Sequence, residues 1–358
     1  MEKVGASTYR IETIDMIRGL AIAMMVFTHF FAYIVDKQKI SFFPISATIN
    51  TFSSWYCVPL FYFIVGYNLT NQIHRKLGAG YIKKELNHYI WMRSLLIYFL
   101  GFILNIYQVG FSYVWHWSTL QIIAIGYAAI YLLQSSRNKI RMLLIIFILV
   151  LSFKLAPYYG YYQYNGEWNF KGFVLGFIFS GGNPLLPWVA YFIMGNFIAD
   201  LRITKKGKIL LWILMISLAL LSFAVRNRIP LTKYPASITY NIFFLCTCVA
   251  LFYVVFWLKE IKKWNTIFFY PFEIFGMFPL TIFMTHIIIG LELIKRFGIF
   301  QKGSSYQFLM IYFFAIIFFT GIGCFWKKAG FKYSLEWFIN ISHRTLGNKK
   351  IVISSSSE

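Results

Sequence analysis

Residues 14–31 read IDMIRGLAIAMMVFTHFF, an apolar run interrupted by Asp15, Arg18 and His29. Read as a helix, this run is long enough to enter a bilayer, and similar runs recur along the whole chain. The 358 residues are 59% hydrophobic, 21% aromatic and only 13% charged, a composition that a water-soluble domain of this size has no interior to absorb. Ten apolar stretches are readable, at about 14–35, 52–73, 91–107, 115–134, 139–155, 184–201, 208–225, 236–258, 267–291 and 305–326. The third and fifth are short, and 170–179 has the makings of a partial eleventh. The expected fold class is therefore all-α: a polytopic integral membrane protein of about ten transmembrane helices. A single membrane domain over 1–347 and a disordered tail over 348–358 complete the expected organisation. No cleavable signal peptide is expected, because the N-terminus is polar and no small-residue cleavage site follows the first run.

Charge predicts the orientation. Of 34 Lys and Arg, 23 fall in the N-terminus, in the even-numbered loops and after the last span, 10 fall in the odd-numbered loops, and Arg18 lies within the first span. The positive-inside rule then puts both termini in the cytoplasm. The net charge of +22 does not make this a nucleic-acid-binding protein. The basic residues sit in short inter-span loops and no nucleic-acid-binding motif accompanies them, so lipid head groups and an anionic cytosolic substrate are the expected partners. Cys57, Cys246, Cys248 and Cys324 all lie in predicted spans, with a spacing that matches no zinc site. They read as buried free thiols, and no metal is expected.

The polar residues of the first span carry the functional expectation. Arg18 and His29 are eleven residues apart, three helical turns, so they share one face with His29 about 16 Å further along. Asp15 pairs with Arg18 across one turn, Gly19 permits close approach beside it, and Asp36 continues the same stripe. Ionisable residues inside a membrane mark function by default, although a purely structural polar seam is the plain alternative. Arginine holds phosphate and pyrophosphate through a planar fork of fixed charge. Histidine is the usual base for deprotonating a hydroxyl or amine that attacks a thioester. Arg18 at the inner mouth and His29 deeper thus suit coenzyme A with its arm reaching inward.

Several stretches carry a family resemblance. The Arg-x10-His spacing at Arg18 and His29 is that of the acyltransferase 3 family. PLFYFIVGYNL (59–69) resembles a second-helix pattern of its relatives. STLQIIAIGYAAIYLL (118–133) and NPLLPWVAYFIMGNFIAD (183–200) are similar to helices of the heparan-alpha-glucosaminide N-acetyltransferase group. GMFPLTIFMTH (276–286) and LEWFINISHRTLG (335–347) resemble the C-terminal half of YeiB-like proteins. The resemblance implies acyl transfer from cytosolic acyl-CoA, acetyl-CoA first among donors, to a hydroxyl or amine of a sugar or glycan across the membrane. In it, His29 is catalytic with Asp15 supporting, and Arg18 contacts acyl-CoA. The Gly-rich segment that carries the lysosomal enzyme's histidine is missing here, so that enzyme's substrate is not transferred.

The other candidates have two readings each. Arg75, Lys76 and Arg93, with Lys83 and Lys84, either hold CoA phosphates or merely obey the positive-inside rule; Arg93 stands out because it enters a span. Gln121 and Ser118 suit a donor carbonyl or a sugar, and equally suit bonds to neighbouring helices. His116, between Trp115 and Trp117, is an acceptor contact or part of an interfacial aromatic belt. His286 lines the acceptor route or satisfies a neighbouring helix, and Glu273, near the start of its span, by default snorkels or pairs with a loop lysine. The aromatic run 158–168 stacks on sugars or anchors at the interface. A prokaryotic plasma membrane is the expected location and a homodimer an open option. A transporter or flippase that uses the polar seam is the rival, and an inactive family member the third reading.

Overall fold

The computed structural model describes residues 11–36, 44–111, 117–159, 174, 177–178, 184–201, 205–233, 236–264 and 266–346. Those residues form helices and contain no extended strand pair beyond two isolated bridges. The helices are α1 (Glu12–Ile34), α2 (Pro44–Gly78), α3 (Lys83–Val109), α4 (Thr119–Leu133), α5 (Asn138–Tyr159), α6 (Leu185–Asp200) and α7 (Lys205–Ala224). After them come α8 (Ile238–Phe256), α9 (Tyr270–Met277), α10 (Pro279–Thr285), α11 (Leu291–Arg296), α12 (Ser305–Lys328) and α13 (Leu335–Leu346).

A helix occupies every one of the ten expected apolar stretches. Five are long and apolar enough to cross a bilayer: Glu12–Ile34, Lys83–Gln108, Lys206–Asn227, Ile238–Ile261 and Ser305–Lys328. A sixth is available if α9 and Pro279–Arg296 count as one broken span, bent by 90°. The helices α4 and α6 have 15 and 16 residues, short of the roughly 20 that a 30 Å hydrocarbon layer requires. The ninth stretch breaks because Pro279 has no N–H to continue α9, and Phe278 leaves helical geometry at φ −137° and ψ 58°. A π-helical turn, His286–Gly290, then re-aims the chain between α10 and α11.

Helix α1 is the buried centre of the assembly. Of its apolar window 61% is buried, against 11% for α7, whose Leu and Ile side chains stay exposed as lipid-facing surface does. Glycines let α1 in: a Cβ on Gly19 would lie 1.7 Å from the Phe272 carbonyl oxygen, and one on Gly276 would lie 1.7 Å from that of Asp15. The backbones of α1 and α9 therefore touch, the small-residue packing by which membrane helices gain dispersion contact. Helices α2 and α6 repeat the device through Gly66 and Gly195, with the Thr70 hydroxyl accepting from Asn196 Nδ2 at 2.8 Å beside it.

The far end of α1 departs from the expected stripe. The helix stops at Ile34, Val35 is extended, and the Asp36 N–H donates to the Gly303 carbonyl at 3.0 Å. Once that backbone bond replaces the helical one, Asp36 leaves the Arg18–His29 face, and the polar seam ends at His29. Both termini of the described chain, the start of α1 and helix α13, lie at the Arg18 end. The proposed tail over 348–358 falls outside the described residues.

Candidate functional site

Arg18 leaves α1 where α9 breaks. The last carbonyls of a helix have no partner of their own, and the Gly276 carbonyl accepts from Arg18 Nη1 at 2.8 Å. Asp15 Oδ1 lies 3.8 Å from the same nitrogen, one turn back on α1. The guanidinium so held borders a cavity of about 590 Å³ that also takes Asp15, Arg75, Lys76 and Arg93 into its wall. The vestibule thus gathers Arg18, Arg75, Lys76 and Arg93 of the basic residues singled out as phosphate holders, while Lys83 and Lys84 lie outside its wall. Arg93 donates to the Tyr89 hydroxyl at 2.8 Å and lies 5.5 Å from the Tyr127 ring centre. Lys76 Nζ sits 4.0 Å and 4.3 Å from the rings of Tyr89 and Tyr81, which hold an ammonium over their faces.

Glu336, on α13, completes this end and had no signal in the sequence. Oε1 accepts the N–H groups of Leu280 and Thr281 at 2.6 and 3.2 Å, and Oε2 accepts the Thr281 hydroxyl at 2.5 Å. The carboxylate caps the start of α10, opened by the same break that frees the Gly276 carbonyl. Burial pushes its carboxyl above the ordinary range, and those donors from Thr281 and Leu280 pull it back. Glu336 walls the vestibule together with Arg18 and Arg93.

From the vestibule a narrow neck of about 80 Å³ runs along α1. Arg18, Asn68, Arg93 and Glu336 belong to both spaces, and the neck continues between Phe61, Val65, Ile97 and Ile123. At its other end Met25, Thr119 and Phe283 are shared with a chamber of about 300 Å³, into whose wall His29 is set. Gln108 and Ile287 are shared by that chamber and a further pocket of about 120 Å³ beside Glu292 and Lys295. Four spaces thus lie end to end from Arg18 past His29.

His29 is held by His286, fully buried in the π-helical turn: the rings are stacked at 16°, with His29 Nδ1 2.8 Å from His286 Nε2. His286 Nδ1 lies 2.9 Å from the Ile282 carbonyl oxygen. A carbonyl only accepts, so His286 carries its proton on Nδ1 and presents a lone pair at Nε2. In the neutral pair the proton between the rings is then on His29 Nδ1, which leaves His29 Nε2 as the lone-pair nitrogen. His286 is outside the walls of the four cavities; it satisfies a neighbouring helix, and the residue it satisfies is His29.

The chamber wall is polar, with Thr28, Ser54, Asn105, Gln108, Ser118 and Thr119 around His29. Lys233, counted among the outer-loop cations, folds back into it and donates to the Ser54 carbonyl at 2.6 Å. Gln121 stands behind the wall. Its Oε1 accepts the Ser118 N–H at 2.7 Å and Asn105 Nδ2 at 3.2 Å, so it fixes two residues that face the chamber. Asp15 is about 21 Å of helical rise from His29 and sits at the arginine end, far from any chemistry there. Asp36 borders none of these spaces. His116 and residues 160–168 lie outside the described set. Glu273 pairs with Lys259, the expected partner for it. Cys57, Cys246 and Cys248 are buried and free, and Cys324 is free and partly buried.

The model of a known family, described as an acyltransferase domain (acyltransferase 3), matches residues 11–328. The chain belongs to the acyltransferase 3 family. Its match begins at Ile11, just before α1, and ends at the last residue of α12, so every wall residue of the four cavities except those on α13 falls inside it. Among curated proteins none matches the chain. With several apolar helices of spanning length, this acyltransferase family member is an integral membrane protein.

Proposed function

We propose that the protein transfers an acyl group, acetyl in the simplest case, from cytosolic acyl-CoA to a hydroxyl or amine of a sugar or glycan on the other side of the membrane. One observation carries this reading: the cavities run end to end, with arginines at one end and an oriented imidazole at the other. Phosphates suit the Arg18, Arg75, Lys76 and Arg93 end, because a guanidinium fork binds them in two places. The pantetheine arm is slender enough for the neck, and the rise of about 16 Å from Arg18 to His29 is of its order.

The acceptor enters the chamber from the other side. His29 Nε2 takes the proton from its hydroxyl or amine as the oxygen or nitrogen attacks the thioester carbon. The tetrahedral adduct collapses, the carbon–sulfur bond breaks, and the leaving thiolate takes the proton back from His29. His286 keeps the proton of His29 on Nδ1, so the nitrogen that must accept is the one with the lone pair. Asp15 positions Arg18. In this reading ten helical stretches form one domain over 1–347, both termini are cytoplasmic, and the vestibule opens to the cytosol among the more basic loops. A prokaryotic plasma membrane is the location that fits, lipids and possible homodimerisation the further contacts.

The test is a purified preparation in lipid nanodiscs with labelled acetyl-CoA and a panel of amino sugars and glycosides, read as label transfer and CoA release. Transfer by the wild type, its loss in His29→Ala and a weakened CoA thermal shift in Arg18→Ala are expected. Full activity in His29→Ala would sink the chemistry. No thermal shift with CoA or acetyl-CoA, together with a shift on some free solute, would move the passage to transport.

A further inference from the structure

Ser118 lines the chamber and carries an unspent donor. Its Oγ is buried and has no hydrogen-bond partner among the described residues, while its backbone N–H is already used on Gln121 Oε1. A buried hydroxyl without an acceptor costs on the order of a hydrogen bond, so its retention in a polar wall asks for a ligand atom. The position narrows which atom. Thr119, the next residue, is shared by the neck and the chamber, so Ser118 stands where an arm threaded through the neck enters the space that holds His29. The oxygen packs against Gly101 of α3, where a Cβ would come within 2.8 Å of it, and a turn about χ1 swings it to the chamber side of Ser118.

We propose that Ser118 is a further catalytic residue, whose hydroxyl donates a hydrogen bond to the carbonyl oxygen of the donor thioester and to the oxyanion that forms from it. The assignment rests on acyl-CoA being the donor. When the acceptor adds to the thioester carbon, the carbonyl π pair moves onto oxygen, and a donor that meets that oxygen stabilises the adduct more than the ground state. On collapse the pair returns, the thiolate leaves with the proton from His29, and Ser118 keeps its own proton throughout. Gln121, by holding the Ser118 backbone, is a positioning residue for that donor.

The carbonyl itself reports this bond, with no acceptor needed. Acetyl-CoA labelled with carbon-13 at the carbonyl is bound to the full-length protein in nanodiscs, and its stretching band is recorded by isotope-edited infrared difference spectroscopy. In the wild type and in Ser118→Thr the band lies at lower frequency than for acetyl-CoA in an aprotic solvent. In Ser118→Ala and Ser118→Gly it moves back up, while the thermal shift given by CoA is unchanged. Glycine starts a helix nearly as well as serine, so the second variant keeps α4 folded. With an acceptor from the active panel, kcat falls by about 10²- to 10³-fold in both, the usual cost of one oxyanion donor. An unmoved band and unmoved kcat in variants that still bind CoA overturn the role of Ser118 and leave the donor assignment standing. A wild type that binds no acetyl-CoA overturns both.

Discussion

At the residue scale, the two histidines work as one unit. His286 meets the acceptor nowhere, yet it decides which nitrogen of His29 can take a proton, because the Ile282 carbonyl fixes its own tautomer. His286→Ala is expected to lower kcat by about 10- to 100-fold, within what an oriented general base contributes, with KM for acetyl-CoA unchanged. His286→Asn, whose side-chain oxygen still accepts from His29 Nδ1, recovers part of the rate. Steady-state kinetics on the three proteins check this, and an unchanged kcat in His286→Ala would reduce the pair to packing. Glu336 has a different task. Glu336→Gln keeps an oxygen for the Leu280 and Thr281 N–H groups but removes a negative charge from the wall shared with Arg18 and Arg93. Its expected effect is a several-fold tighter Kd for CoA at low ionic strength that fades with added salt; isothermal titration at two salt concentrations reads it. Arg18 and His29 were legible in the sequence because their spacing is a local, helical fact. His286, Glu336 and Lys233 were not legible as partners of these groups, because the bonds that give them meaning join residues far apart in the chain.

At the element scale, the break in the ninth stretch organises the arginine end. Pro279 stops α9, the Gly276 carbonyl is freed for Arg18, and the opened start of α10 is taken by Glu336 from α13. Sequence alone marks Gly19 as a point of close approach, but it reads the ninth stretch as one span running through Pro279. It does not show that Gly19 meets α9, nor that the backbones of α1 and α9 touch there. That contact predicts a graded response. A methyl group on Gly276 has the Asp15 carbonyl 1.7 Å away and cannot be housed without parting the two helices. Gly276→Ala should therefore cost about 1–3 kcal/mol or more in stability, as overpacking does, and weaken CoA binding by moving the carbonyl that Arg18 uses. Gly321→Ala on α12, where a Cβ meets nothing within 4 Å, should leave both untouched. Thermal unfolding in one detergent, with and without CoA, compares them; equal melting temperatures would refute the contact. The apolar runs were readable because burial in lipid or protein demands them, whereas the end of α1 at Ile34 follows from a backbone bond to Gly303 that no local pattern announces.

At the scale of the whole molecule, the proposed reaction requires that substrates arriving from opposite faces meet without opening a leak. A neck of about 80 Å³ between spaces of about 590 and 300 Å³ suits that proposal: an extended arm would occupy it, with the nucleotide and the acceptor on either side. In the proposed orientation, which rests on the charge asymmetry of the loops, the wide vestibule faces the cytosol; the walls themselves form only when α1, α2, α3, α4 and the broken ninth stretch come together. The neck also yields the sharpest separation of binding from chemistry. Met25 and Thr119 belong to both the neck and the chamber. Filling the junction with Met25→Trp or Thr119→Trp leaves the phosphate-holding end intact, so CoA should still raise the melting temperature as in the wild type. The thioester can no longer reach His29, and label transfer should fall by more than about 100-fold, since catalysis depends on reacting atoms held within near-contact distance. Thr119→Val, nearly the size of the native residue, should retain transfer and serves as the control for folding. If the tryptophan variants bind CoA and still transfer acetyl at the wild-type rate, the donor takes another route and the line of cavities is not its path.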